Sequence, residues 1–358
     1  RFAWIAFPFP SHEGTRWIYI LLEEGGGRGS TVRKAGDGPR ALVTGGAGGI
    51  GHFLVRELLD RGWRVRVLDN FSSGTRGNLH DLSGDPRVEI LEGDVLDPPT
   101  LLRGVTETEF VWHLSANPDV RRGKEITHLD LEQGTLATQR VLEAMRRASV
   151  KCIAFSSSSV VYGFPTVFPT PEDYGPLLPE SLYGASKLAS EGLVSAFVHT
   201  FGFQAWVFRF ANVCGPGATH GVIYDFLEKL RHDPHRLEVL GDGSQRKGYL
   251  HVEDCVKAMI YATEHGKEPV NVFNLAPEDT ISVAEIAQRV VSATGTGARI
   301  EYTGGPRGWA GDVPRQHLSI DRLRRLGFTP RYRSAEVVDE TIRALRDPVP
   351  RSSPVRHG

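Results

Sequence analysis

The stretch Arg40-Ala41-Leu42-Val43-Thr44-Gly45-Gly46-Ala47-Gly48-Gly49-Ile50-Gly51 decides the fold. Arg40 to Val43 is a short apolar run, which reads as a buried strand. It stops at a turn where Gly45, Gly48 and Gly51 recur every third residue. Behind the turn, Phe53, Leu54, Leu58 and Leu59 recur at helical spacing, so a helix opens there. Strand, glycine turn and helix together bring bare backbone and free helix N–H groups to one point, which suits a pyrophosphate. Gly45, Gly48, Gly49, Ile50 and Gly51 are therefore candidate pyrophosphate contacts.

Reading outward, Arg64–Asp69 is the next strand, with Asp69 at its end and Asn70 just beyond. A carboxylate there accepts both ribose hydroxyls of an adenosine and repels a 2′-phosphate, which points to NAD over NADP. Val88–Leu91, Phe110–Leu114 and Lys151–Phe155 continue the strand series, with helical patterns between several of them, notably Leu131 to Arg147. This alternation implies an α/β fold, a Rossmann-type doubly wound parallel sheet covered on both faces. Loops after the strands carry the ligand contacts in such sheets. Asp94 and Val95 would then flank the adenine, and Leu114, Ser115 and Ala116 would line the middle of the cofactor.

Beyond residue 212 the rhythm changes. Helices near Val222–Arg231, Val252–Thr263 and Val283–Thr294 alternate with strands at Leu237–Leu240 and Val270–Leu275. The expected organisation is an arm or linker at 1–38, a dinucleotide-binding domain at 39–211 and a smaller mixed α/β substrate domain at 212–345, with some exchange of chain between the two. Residues 346–358 read as a loose tail.

Composition narrows the function classes. The 358 residues carry a formal charge of -1, with no basic footprint for nucleic acid. Three widely spaced cysteines, Cys152, Cys214 and Cys255, form no disulfide framework or zinc pattern and suggest a reducing, cytoplasmic setting. The histidines show no paired ligand spacing, so no metal is expected. No apolar stretch approaches the roughly 20 residues needed to span a bilayer.

The chemistry lies in Ser181-Leu182-Tyr183-Gly184-Ala185-Ser186-Lys187, downstream of Ser156-Ser157-Ser158-Ser159. A phenol has an unperturbed pKa of about 10 and is a poor base at neutral pH. Lysine four residues on lies one turn along the same helix face, and its charge favours the phenolate. A serine hydroxyl can hold the oxygen whose proton the tyrosine takes. These are the parts for removing a proton from an alcohol while a hydride leaves its carbon.

Joined to Val161-Tyr162-Gly163 and the glycine turn, this set resembles the extended short-chain dehydrogenase/reductase family, and its sugar-nucleotide epimerases and dehydratases best. The resemblance runs over roughly residues 40–345. It implies that Ser158 binds the sugar 4-oxygen, that Tyr183 is the base, and that Lys187 holds the nicotinamide ribose. In Phe208-Arg209-Phe210-Ala211-Asn212 it implies Asn212 at the substrate diphosphate. In the loop from Gly241 to Tyr249 it implies nucleotide contacts from Lys247 and Tyr249, with lysine standing where an arginine is usual. Val222 and Asp312 complete the implied substrate set, Asp312 at the uridine ribose. Trp309 replaces the arginine often found three residues before that aspartate, with Arg307 or Arg315 as substitutes. Pro118 and Leu131 also depart from the family's common lysine and asparagine.

The segment after Ser158 chooses the reaction. Related dehydratases carry acids there, because eliminating water needs an extra acid and base. This chain has Ser159-Val160-Val161, and Glu172 and Asp173 follow only in a Pro-rich loop. The segment Ala211 to Ile223 resembles UDP-glucose 4-epimerases of the shorter prokaryotic type. The resemblance thus implies epimerisation at C4 through a transient 4-keto sugar, with UDP-glucose/UDP-galactose foremost. UDP-glucuronate, a UDP-N-acetylhexosamine, a net NAD-dependent oxidoreductase and a non-catalytic NAD-binding regulator are the alternatives. Family members also imply a homodimer through the helices at Leu131–Arg147 and Tyr183–His199.

Overall fold

The computed structural model describes residues 2–11, 14–23, 38–309 and 311–347. In the arm, where the sequence suggests a linker, β1 (Phe2–Ser11) and β2 (Gly14–Glu23) pair antiparallel from Phe2↔Glu23 to Ser11↔Gly14. The rest of the arm up to residue 37, and the tail from residue 348, lie outside the described residues.

The first domain runs through β3 (Arg40–Thr44), α1 (Gly51–Asp60), β4 (Arg64–Asp69), β5 (Val88–Glu92), α2 (Pro98–Val105) and β6 (Phe110–His113). It continues with α3 (Ala137–Ala148), β7 (Cys152–Ser158), α4 (Leu182–Phe201) and β8 (Gln204–Phe210). Beyond it come β9 (Asn212–Cys214), α5 (Val222–His232), β10 (Arg236–Val239), β11 (Arg246–Lys247), β12 (Tyr249–His251) and α6 (Val252–His265). Then follow β13 (Val270–Leu275), β14 (Ile281–Ser282), α7 (Val283–Thr294), β15 (Arg299–Tyr302), α8 (Asp321–Leu326) and α9 (Ser334–Arg346).

Seven strands form one parallel sheet in the order β13-β8-β7-β6-β3-β4-β5. The order reverses direction between β3 and β6, and ligands of such sheets bind in the crevice that this reversal opens at the strands' C-terminal ends. One face of the sheet buries Leu101, Val105, Val141, Leu142, Met145, Val194 and Val198 from α2, α3 and α4. The other buries Leu54, Val55, Leu58, Cys255, Val256 and Met259 from α1 and α6. Burial on both faces explains why the inner strands β3, β6 and β7 read as apolar runs, whereas β5, at the sheet edge, is largely exposed.

Two local features differ from the sequence pattern. Val270–Leu275 reads as part of the smaller domain, yet it pairs parallel with β8 from Val270↔Ala205 to Leu275↔Phe210. The chain therefore returns to the main sheet, and α6 comes with it. The helical pattern at Leu131–Arg147 opens as a π-helical turn, Leu131–Leu136, before α3 begins. There Gly134 lies so close to α4 that a Cβ would fall 2.5 Å from Ser186 Oγ.

The smaller unit has its own core. Ile223, Phe226 and Leu230 of α5 meet Ile286 and Val290 of α7 and Val337, Val338 and Ile342 of α9. Short strand pairs support it: β10 with β15, β11 with β14 and β9 with β12.

Candidate active site

The glycine turn after β3 is bare for steric reasons that the coordinates make explicit. Gly45 has φ +69°, and a Cβ there would fall 2.9 Å from Ser115 N. At Gly51 a Cβ would fall 2.2 Å from Gly45 O and 2.7 Å from Gly46 Cα, all of it backbone. Gly49 has nothing within 4 Å of the same position. Gly51→Ala is thus expected to destabilise the protein by about 1–3 kcal/mol, the usual cost of overpacking. Gly49→Ala should leave the denaturant midpoint unchanged, and equal losses in the two variants would contradict this packing argument.

Asp69, at the end of β4, secures the turn. Its Oδ2 accepts from Ala47 N at 2.9 Å and its Oδ1 from Phe71 N at 2.8 Å. Each carboxylate oxygen keeps a further acceptor site. Asn78 adds a bond from Nδ2 to Ala47 O at 2.8 Å, so the turn is held from both sides.

A cleft of about 1010 Å³ opens beside this turn, between the sheet's C-terminal rim and the smaller unit. Gly45, Gly48, Gly49, Ile50, Gly51, Asp69 and Asn70 line one end, with Val95 and Leu114, Ser115 and Ala116. Ser158, Tyr183 and Lys187 line its middle, and Asn212, Val222, Lys247, Tyr249 and Asp312 line the other end. Of the expected contacts, Asp94 alone does not line the cleft. Its Oδ2 accepts from Asn70 Nδ2 at 3.0 Å and its Oδ1 from Leu96 N at 2.8 Å, which ties the carboxylate into the loop. Neither arginine offered as a substitute at the late position lines it either. Arg307 lies over the Phe164 ring at 4.6 Å and Arg315 over the Phe168 ring at 4.1 Å.

Ser158 ends β7, so the serine run is a strand continuing into the site and not a free polar loop. Tyr183 sits in the first turn of α4, whose start is fixed by Ser181 Oγ accepting from Gly184 N at 3.1 Å. Lys187 is 2% exposed, donates to Ser156 O at 2.6 Å, and lies 4.9 Å from the Phe155 ring centroid. Burial pulls its ammonium down to about 8, against the opposing charges of Glu191 and Asp130.

The expectation that Lys187 lowers the tyrosine pKa is corrected for the protein by itself. The Tyr183 hydroxyl is pushed up, by burial first and by the Asp130 charge second. Lys187 Nζ stands 5.7 Å from the Tyr183 ring centroid and is turned to the Ser156 carbonyl, while Asp130 opposes it. Asp130 is buried, accepts from Asn117 Nδ2 at 3.0 Å, and has a raised pKa caused mainly by desolvation. Among the described residues its Oδ2 has no hydrogen-bond partner. No local sequence signal marks this aspartate.

At the far end, Lys247 and Asp312 meet each other at 2.6 Å, and Asp312 Oδ2 also accepts from Gly308 N at 3.1 Å. Asn212 Nδ2 donates to Gly248 O at 3.3 Å, joining β9 to the same loop. Glu172 is buried away from the cleft, accepting from Asn274 N at 3.1 Å, and Asp173 is exposed. Ser159 and Val160 line the cleft directly after Ser158 and bring no acid. Asn117, Gln133, Gln245 and Gln316 also line it; Gln245 falls in the loop from Gly241 to Tyr249, and the sequence offers no motif for the other three. Among the described residues no cluster of His, Cys, Asp or Glu could hold a metal ion, and no helix is long and apolar enough to cross a membrane.

Residues 41–276 match the NAD dependent epimerase/dehydratase family. The chain is 33% identical over 315 residues to a UDP-glucose 4-epimerase of Mycolicibacterium smegmatis, covering 86% of this chain and 99% of that one. It is also 30% identical over 329 residues to a UDP-N-acetyl-alpha-D-glucosaminuronate decarboxylase of Bacillus cytotoxicus, covering 86% and 98%. A crystal structure of a UDP-galactose 4-epimerase superposes with a TM-score of 0.77 at 38% identity, covering 86% of this chain and 98% of that chain. The bare glycine turn, Asp69 and the parallel sheet fit the family's cofactor, NAD. The chain belongs to the NAD-dependent epimerase/dehydratase family, the sugar-nucleotide branch of the extended short-chain dehydrogenases/reductases.

Proposed function

We propose that this chain epimerises a UDP-hexose at C4, with UDP-glucose/UDP-galactose the first pair to test. The observation that carries the reading is the convergence of Ser158, Tyr183 and Lys187 on the cleft that the glycine turn also lines, with no acid in the residues Ser159-Val160-Val161 that directly follow Ser158. Elimination needs an extra acid and base next to the reacting carbons. Glu172, the nearest buried acid in sequence, is engaged with Asn274 instead.

In this reading Ser158 Oγ holds the sugar 4-oxygen and Tyr183 takes its proton. Lys187, anchored on Ser156 O, keeps two protons for the ribose of the nicotinamide. Asp69 accepts from the adenosine ribose through its remaining acceptor sites. When bound, NAD supplies the hydride acceptor and donor and adds positive charge beside the phenol. Lys247 faces the diphosphate, oriented by Asp312, and the α5 N-terminus at Val222 adds free N–H groups there. Lysine keeps the charge of the family's arginine but not its bidentate fork, so this end grips with a point charge. A diphosphate anchor alone lets the flat 4-keto ring turn over between the two faces.

The test needs only the purified protein. Denaturing it should release NAD, and the native protein should interconvert UDP-galactose and UDP-glucose without added cofactor. Failure of both results sinks the proposal. Strict dependence on added NAD, with NADH accumulating, would identify a net oxidoreductase.

A further inference from the structure

Four consecutive serines, Ser156 to Ser159, carry the chain out of β7, and each has a different partner. Ser156 Oγ donates to His113 O at 3.2 Å on the neighbouring strand. Ser157 Oγ donates to Glu191 of α4, one turn beyond Lys187. Ser159 Oγ accepts from Gln316 Nε2, in the segment that follows Asp312. Ser158 bonds only within its own turn. Its Oγ accepts from Val160 N at 3.4 Å, and among the described residues its proton has no acceptor.

The backbone leaves β7 at Ser158 and enters one short turn, Ser159–Tyr162. The strand and Ser157 hold the near side of Ser158. On the far side, the direction of the turn depends on what holds Ser159, and Gln316 supplies that hold from far along the chain. Ser159 is 6% and Gln316 9% exposed, so water is poorly placed to replace the bond. Gln316 is itself braced. Its N donates to Arg246 O at 2.9 Å, and Arg246 N donates to Pro314 O at 2.8 Å. Lys247, the next residue, meets Asp312 at 2.6 Å. We infer that Gln316 is a positioning residue for the reaction: through Ser159 it fixes the turn that aims Ser158 Oγ, and it ties that aim to the segment carrying Asp312. This rests on the reading of Ser158 as the group that holds the sugar oxygen.

Gln316→Leu, Ser159→Ala and the double variant test it in the full chain, by initial rates with UDP-galactose and by calorimetric titration with UDP. Each single variant should lose about ten- to hundredfold in kcat, the scale of a misplacement of about 1 Å at the reacting centre. UDP affinity and NAD content should stay at wild-type levels. The double variant should be no slower than the slower single variant, because the one hydrogen bond is lost only once. Losses that multiply in the double variant overturn the inference, since Gln316 would then act apart from Ser159. An unchanged kcat in Gln316→Leu overturns it, as does a loss confined to KM or to UDP affinity. A lowered melting temperature together with lost NAD would mark the pair as structural and overturn it too. Ser159→Ala removes a single oxygen and carries the kcat prediction by itself should Gln316→Leu not fold. Wild type inactive on every UDP-sugar would overturn the epimerase reading and this inference with it, whereas an active wild type with unmoved variants overturns this inference alone.

Discussion

Tyr183→Phe is expected to lower turnover of the UDP-sugar by about 10²–10⁴-fold, the usual contribution of a positioned acid–base group. NAD content should be unchanged. The substitution removes one oxygen and keeps the ring that lies 5.7 Å from Lys187 Nζ. That hydroxyl's environment is set by burial and by the Asp130 charge, and among the described residues no hydrogen bond holds it, so little folding energy is lost. The raised pKa also means that the phenol of the protein alone is protonated at neutral pH. It becomes a base only when positive charge accumulates beside it, and Lys187, buried and pulled down to about 8, provides part of that charge. Initial rates and heat-released NAD, measured on the same preparation, check both halves. Unchanged turnover refutes the role of base. Loss of NAD together with turnover would make Tyr183 a structural residue of the cofactor site.

The parts of this site that were legible in the sequence are those that local chemistry dictates. Gly45 and Gly51 must be glycine because a Cβ would strike Ser115 N or Gly45 O, and such turns leave a spacing that can be read. Tyr183 and Lys187 share a helix face, so their spacing alone sets them together. What stayed hidden depends on partners far along the chain. Val270–Leu275 reads as a strand, but its place beside β8 is a pairing with residues 205–210 that no local pattern encodes. Asp94 stands at the correct strand end, yet it does not line the cleft, and Asn70 and Leu96 hold its carboxylate in the loop. Arg307 and Arg315 flank the late aspartate in sequence, but each is captured by a phenylalanine ring. Charge and spacing therefore located the site, while side-chain direction decided its membership.

Arg209→Met is expected to destabilise the fold by about 3–5 kcal/mol, the cost of leaving a buried charge without its partner. Arg209 grips Glu191 at 3.0 and 2.7 Å through Nε and Nη2. Its Nη1 donates to Tyr162 OH and Glu172 O, both at 2.9 Å. The two charged side chains are 6% and 10% exposed, so solvent does little to screen or replace the pair. Glu191 lies one turn beyond Lys187 on α4, and Arg209 lies near the end of β8. The pair therefore pins the helix that carries Tyr183 and Lys187 to the strand beside Ser158. A loss of that size is a large part of the 5–15 kcal/mol typical of a folded domain. Replacing both partners with apolar residues removes the orphaned charge, so Arg209→Met with Glu191→Leu should cost less than Arg209→Met alone. Denaturant titration of the single and double variants measures this. A single variant within about 1 kcal/mol of wild type, well short of a broken buried pair, would show that Arg209 is not the clamp on α4.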